Sequence, residues 1–253
     1  MSIAVITGAS AGLGRQFAYQ LDGDDQIDAM WLIARRQERL QQLAADLSTP
    51  AEVLPTDLTD PDDLSALYAR LEEASPHIRW LINNAGFGKI GAFDAIDVDT
   101  NMAMLDLNMR TLTELTQRAL PHCQKGSHIV QVSSLAAFMP VTNFGAYSAS
   151  KAYVLNFSDA LHRELKPRGI SVTSVCPGPV ATEFLDVAST EGSKTDLPGF
   201  VMADAPSVVT KAISDARRGR RHSIYGWIPW VIAKTSGVHP RGLTLWITDK
   251  IYG

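Results

Sequence analysis

Tyr147 and Lys151 stand four residues apart, so on a helix their side chains share one face. A free tyrosine titrates near pH ~10, too high for acid–base work near neutrality. A neighbouring ammonium favours the phenolate and lowers that value. The pair could therefore give a proton to a developing alkoxide, or take one in the reverse direction. Ser134, thirteen residues before Tyr147, falls at the exit of an apolar run that reads as a strand. Its hydroxyl could hydrogen-bond the substrate oxygen as charge grows on it. Such a set suits chemistry at a carbonyl or alcohol carbon. Ser133, Ser148 and Ser150 receive no catalytic role.

A second group of residues could hold the co-reactant. Thr7-Gly8-Ala9-Ser10-Ala11-Gly12-Leu13-Gly14 lies between an apolar run and a helical pattern. Gly8, Gly12 and Gly14 allow a tight turn whose backbone N–H groups approach a pyrophosphate without a Cβ clash, with Ser10 and Leu13 of the same turn as further cofactor-binding candidates. The helix N-terminus that follows adds partial positive charge. A strand before and a helix after give this turn its meaning. About twenty residues past Gly14 the chain reads Ile33-Ala34-Arg35-Arg36, with no carboxylate to bond a ribose 2′-hydroxyl. Arg35 is the candidate for the 2′-phosphate of NADP(H), with Ser10 as a hydroxyl donor beside it and Arg36 stacking or pairing. An NADP-type site favours reduction.

These residues need a scaffold that gathers strand ends. Ile3–Thr7, Met30–Ala34, Ala51–Pro55, Trp80–Asn83, Ser127–Ser133 and Ile170–Cys176 are apolar, mostly unbroken runs, as parallel strands buried on both faces should be. Helical periodicity predicts helices over Gly14–Leu21, Arg36–Leu47, Pro61–Glu73, Asn101–His122 and Ala146–Lys166. The alternation predicts an α/β fold: a doubly wound parallel sheet (Rossmann fold) with right-handed crossovers. No repeat or linker divides residues 1–253, so one domain is expected. Two parts leave the pattern: a helical substrate lid over 182–206 and an aromatic C-terminal extension over 226–253. A long loop inside a compact domain is usually functional. Trp227-Ile228-Pro229-Trp230-Val231-Ile232-Ala233 reads as packing, with a lipophilic-substrate wall or membrane-surface contact as the alternative.

Of 253 residues, 45% are hydrophobic and 20% charged, which fits a soluble globular chain with a substantial core. A net charge of −4 gives no field to gather nucleic acid. Arg217–Arg221 is the one dense basic run, and without interleaved aromatics it reads as a solvated helix end. Cys123 and Cys176 have no disulfide or metal-ligand spacing, so no metal is expected. No signal-peptide pattern and no spanning apolar stretch are read, so a cytoplasmic location without a transmembrane segment is expected.

The turn Thr7–Gly14, Asn83-Asn84-Ala85-Gly86, the Ser134/Tyr147/Lys151 set and Cys176-Pro177-Gly178-Pro179 together resemble the short-chain dehydrogenase/reductases over roughly residues 1–182. The resemblance implies further roles. Asp57 and Leu58 would contact the adenine, and Asn84, Ala85 and Gly86 would line the cofactor groove. Asn108 would be a fourth catalytic residue, holding a water in a proton relay through Lys151. Lys151 would also bond the nicotinamide ribose, beside Tyr147. Pro177, Gly178, Val180 and Thr182 would hold the carboxamide and pyrophosphate. Plainer roles exist: Asn108 could cap or kink its helix, Asp57 could serve a turn or an N-cap, and Asn83 more simply braces the sheet. The chain departs from the family in its last quarter, where 27 residues follow the expected last strand, His222–Gly226. That puts the family's common tetramer in doubt, but the long helices lead us to expect a homodimer or homotetramer.

The sequence thus points to an NADPH-dependent oxidoreductase acting on a small carbonyl or alcohol molecule. The alternatives are a dehydrogenase working oxidatively and a dinucleotide-sensing regulator that lost turnover. Phe87, Phe138, Phe144, Phe184 and Leu185 are placed at the substrate, and apolar lid residues (Phe200, Val201, Met202) tilt the expectation towards a lipophilic one.

Overall fold

The computed structural model of the chain describes residues 1–188, 202–236 and 241–252. Its first half alternates β1 (Ser2–Thr7), α1 (Gly12–Leu21), β2 (Ala29–Ala34), α2 (Gln37–Asp46), β3 (Ala51–Pro55), α3 (Pro61–Ala74) and β4 (His77–Asn83). Then follow α4 (Val98–Leu105), α5 (Leu112–Ala119), β5 (His128–Val132), α6 (Gly145–Leu165) and β6 (Ser171–Val175). The described part closes with α7 (Glu183–Ala188), α8 (Ala205–Arg217), β7 (His222–Ser223), α9 (Trp227–Thr235) and α10 (Arg241–Tyr252). The described strands form one sheet in the order β3-β2-β1-β4-β5-β6-β7, every pair parallel. Strand order reverses beside β1, so a crevice opens at the C-terminal ends of β1 and β4, where such sheets bind ligands.

Both faces of the sheet are covered, which explains the unbroken apolar runs. Ala4 and Ile6 of β1 pack with Phe17 and Leu21 of α1 and Val209 and Ala212 of α8. Ile3 and Val5, pointing the other way, pack with Leu67 and Leu71 of α3 and Leu115 of α5. A residue that met water on either face would have broken the run. Local chemistry sets the helix starts. Asp60 caps α3, accepting the N–H groups of Asp62 and Asp63 ahead of Pro61 at the first position, so the N-cap role weighed for Asp57 falls to Asp60.

The helix expected over Asn101–His122 begins earlier, at Val98, where Asp97 accepts the Thr100 N–H. It is also not uniform: Asp106–Thr111 is a π-helical segment with Asn108 inside it, and Leu120–His122 winds into a 3₁₀ turn. π segments of this kind are frequent at functional sites. The basic run ends α8, as expected, but three of its arginines are paired. Arg217 meets Asp24 at 2.9 Å, Arg220 meets buried Asp215 at 3.1 Å and Arg221 meets Asp159 at 3.5 Å. Of the expected lid, Thr182–Ala188 and Met202–Pro206 are described; Phe200 and Val201 lie outside the described residues. The last strand is shorter than expected and gives way to α9, whose turn uses Gly226 at φ +90°. No described helix is long and apolar enough to cross a membrane.

Candidate active site

The nucleotide end is built from backbone and two side chains. Gly8 and Gly12 adopt φ of +66° and +53°, open to glycine at little cost. A Cβ at Gly14 would collide with the Gly8 carbonyl oxygen, so the third glycine lets α1 start tight against the turn. Thr7 Oγ1 accepts the N–H groups of Asn84 and Ala85, at 2.9 and 3.0 Å, and donates to the Ile82 carbonyl. Asn84 Nδ2 donates back to the Thr7 carbonyl at 2.9 Å. Turn and β4 exit are therefore one rigid unit, and the floor they leave free of side chains fits a dinucleotide. Asn83 serves the sheet, its Nδ2 donating to Thr116 and Gln131, as the plainer reading had it.

The arginines divide the work in a way the sequence did not show. Arg35 follows β2 directly and reaches across to Asp57 at the end of β3, 3.8 Å away. Asp57 also accepts the backbone N–H and hydroxyl of Thr59, and these bonds hold its carboxyl below the usual range although burial works against them. Arg36, pointing the other way, donates from Nε and Nη2 to Ser10 Oγ at 3.2 and 3.1 Å. Ser10 thus sits beside Arg36 and not beside Arg35. Leu58 is buried in the core layer behind this edge.

The chemical end lies where β5 and β6 stop and α6 begins. Asn108, Tyr147 and Lys151 are all buried, at 0%, 6% and 4% exposure; Tyr147, Lys151 and Ser134 line one cavity, and Asn108 stands behind its wall. Lys151 Nζ donates to the Val132 carbonyl at 2.9 Å and lies 5.7 Å from the centre of the Tyr147 ring. Burial pulls its pKa down to about 8. The Tyr147 ring stacks on Phe144, centroids 4.2 Å apart, and meets Phe184 of α7 at 5.6 Å. Ser134 Oγ accepts the Ala136 N–H at 3.1 Å, capping the 3₁₀ turn Leu135–Phe138 that follows the strand exit. Asn108 bridges elements: Nδ2 donates to the Phe87 carbonyl and to Ser150 Oγ, while Oδ1 accepts the Phe87 N–H. A Cβ at Gly86 would come within 2.7 Å of Asn108 Oδ1, so that glycine is needed for the approach.

Two serines left without a role by the sequence support this set. Ser133 Oγ donates to the Lys151 carbonyl at 2.7 Å, and Ser150 Oγ donates to the Tyr147 carbonyl at 2.7 Å. They hold the backbone that carries Tyr147 and Lys151. Gly88 was also missed; a side chain there would strike the Phe144 and Tyr147 rings. The bond of Ser150 to Tyr147 is local to α6, but those that tie Ser133 to Lys151 and Asn108 to Ser150 join separate elements, and the place of Gly88 depends on packing, so no spacing signals them.

The described residues enclose a cavity of about 1150 Å³ that runs from Gly8–Leu13 past Tyr147. Pro177, Gly178, Val180 and Thr182 line it, as do Phe87, Phe144, Phe184 and Leu185. Phe138 does not; it packs edge-on against His222, with centroids 6.1 Å apart. The far wall comes instead from the C-terminal extension, through Ile232, Thr235 and Ser236 after α9 begins and Thr244 and Thr248 of α10. Among the described residues, no group of three or more His, Cys, Asp or Glu is placed to hold a metal.

Comparison with known proteins adds an independent line. The family model "short chain dehydrogenase" matches residues 2–192. An uncharacterised oxidoreductase of Staphylococcus epidermidis is 30% identical over 205 residues, 80% of this chain and 88% of its own. Sulfoacetaldehyde reductase 2 of Chromohalobacter salexigens is 35% identical over 192 residues, 72% of this chain and 74% of its own. Among solved structures, a short-chain dehydrogenase from Sphingobium yanoikuyae in complex with NADPH superposes with a TM-score of 0.81 at 30% identity, covering 96% of this chain and 95% of that one.

Proposed function

The chain belongs to the short-chain dehydrogenase family, and from that premise we propose that it is an NADPH-dependent reductase of carbonyl compounds with Tyr147 as the proton donor. An oxidoreductase with a nicotinamide cofactor follows from the family; the choice of NADP(H) and of a carbonyl substrate is the proposal. The observation that carries it is the edge of β2, where Ser10 and Arg36 are bonded together, Arg35 lies alongside, and no carboxylate follows Ala34. The Sphingobium relative, which binds NADPH, supports the same reading.

When bound, the nicotinamide would supply the hydride to the carbonyl carbon. Tyr147 gives its phenolic proton to the oxygen on which charge develops. Lys151 holds its ammonium beside the ring and is fixed by Val132, so its charge favours the phenolate left behind. Ser134 presents a hydroxyl to the same oxygen. Asn108, locked between Phe87 and Ser150 and against Gly86, positions the Lys151 end of the relay. Phe144 and Phe184 enclose the Tyr147 ring and exclude water from it, and with Ile232 they favour a lipophilic substrate. We expect the chain to act as a homo-oligomer, and the exposed Tyr153 on α6 is available to such a contact.

The test is turnover of a carbonyl panel with NADPH and with NADH, alongside Arg36→Ala and Arg35→Ala. A preference for NADPH that falls roughly tenfold or more in Arg36→Ala supports the assignment. Equal use of the two cofactors by the unaltered protein contradicts it.

A further inference from the structure

Glu183 opens α7, the helix that covers the Tyr147 ring through Phe184. Its carboxylate reaches back across the cavity mouth to α2. Oε2 accepts from Arg36 Nη1 at 2.8 Å, and Oε1 accepts from Arg39 Nη1 at 2.6 Å. The same Arg36 holds Ser10 through its other nitrogens. One anion therefore already sits between two guanidiniums at the edge proposed to read the 2′-phosphate. The pair of arginines holds the Glu183 carboxyl below its usual range, so it is charged at neutral pH.

We propose that Glu183 competes with the cofactor's 2′-phosphate for Arg36, setting the margin of NADPH over NADH and tying α7 to the occupancy of the phosphate site. This rests on the NADP(H) reading above. A phosphate brought to Ser10 and Arg36 carries about two negative charges into reach of the carboxylate. Like charges at this distance repel, so part of the phosphate's attraction to Arg36 is spent in loosening Glu183. NADH carries a hydroxyl at that position and meets no such competition. Release of Glu183 frees the first residue of α7, the element bearing Phe184, whereas Arg39, left with an open donor, becomes available to the phosphate. The competition is graded, because Arg36, Arg39 and Glu183 are each about half exposed and water screens their pairing.

The experiment is a calorimetric titration of the full chain and of Glu183→Gln with NADPH, NADH and 2′-AMP, with AMP as the control. Competition predicts that Glu183→Gln binds NADPH and 2′-AMP roughly three- to tenfold tighter while NADH and AMP bind as before. A merely structural role for Glu183 would move all four ligands together, and that result overturns the proposal. Unchanged or weaker 2′-AMP binding in the variant overturns it as well, even if the parent protein prefers NADPH. A parent protein that binds 2′-AMP no better than AMP removes the NADP(H) reading itself. Thermal melts of both proteins check that the variant is folded.

Discussion

The strand exits and the C-terminal pair of helices meet across one cavity but are built to different standards. At the strand exits, Asn108, Tyr147 and Lys151 are buried, and their backbones or side chains are pinned by Ser133, Ser150, Val132 and Phe87. In the helices, α9 buries none of its residues, and Trp227, Trp230 and Trp246 are 76%, 52% and 60% exposed. Their described ties are thin. Thr248 Oγ1 reaches the Pro140 carbonyl and the Thr142 N–H only at 3.5 Å, and Pro229 rests on Gly178. Chemistry needs groups held to within a fraction of an ångström, and buried hydrogen bonds supply that. A wall that selects substrates needs shape alone. Substitutions on the first side should therefore act on kcat, and those on the second on KM and substrate choice.

The largest expected effect, on the strand-exit side, is at Lys151. Lys151→Met should lower kcat by roughly 10²–10⁴-fold, since Tyr147 loses the ammonium that favours its phenolate. The same variant should be more stable than the parent at pH 7. The folded-state pKa of Lys151 lies near 8, below its ordinary 10.5, so burying the charge opposes folding fully below pH 8. That penalty fades as pH rises from about 8 to 10.5, where the unfolded chain also gives up the proton. Thermal melts across that range should show a gain of up to about 3 kcal/mol at neutrality, reduced by the lost bond to Val132 and vanishing at high pH. In the parent protein, reductive kcat/KM should fall above pH of about 8 as the ammonium deprotonates. A melt in which Lys151→Met is the less stable at pH 7 would mean that the lysine is accommodated as comfortably as a surface charge.

The smallest effect belongs to the far wall. Thr248→Val removes the long hydrogen bonds to Pro140 and Thr142, at 3.4 to 3.5 Å, and a bond to the Leu245 carbonyl within α10, and leaves the strand exits untouched. Steady-state kinetics over carbonyls of increasing bulk should show KM changing roughly two- to fivefold, in a size-dependent way, with kcat nearly constant. A fall in kcat matching that of the Lys151 variant would erase the contrast between the two regions.

This contrast also marks what could be read from the residues alone. Strands such as β1 were legible because Ile3 and Val5 face one buried layer and Ala4 and Ile6 the other, leaving no polar interruption. Tyr147 and Lys151 were legible because their pairing is local, one helical turn apart. Ser133, Ser150 and Gly88 were not, since each matters through a contact made across the tertiary fold or beneath an aromatic ring. The bond of Ser10 to Arg36 in place of Arg35 turned on the direction in which two consecutive side chains leave the end of β2. The C-terminal aromatic run read as packing, a substrate wall or a membrane-surface contact; Ile232 and Thr248 line the cavity while the tryptophans are exposed, because helical periodicity does not say which face finds a partner.

The most direct test of hydride transfer with Tyr147 as proton donor is isotopic. The protein would be incubated with NADPH deuterated at the transferable position of the nicotinamide and a panel of lipophilic ketones and aldehydes, and the products examined by mass spectrometry. The expected result is one deuterium on the carbinol carbon with the parent protein, and almost no product from Tyr147→Phe although that variant still binds NADPH. Products without deuterium at that carbon, or undiminished turnover by Tyr147→Phe, would contradict it.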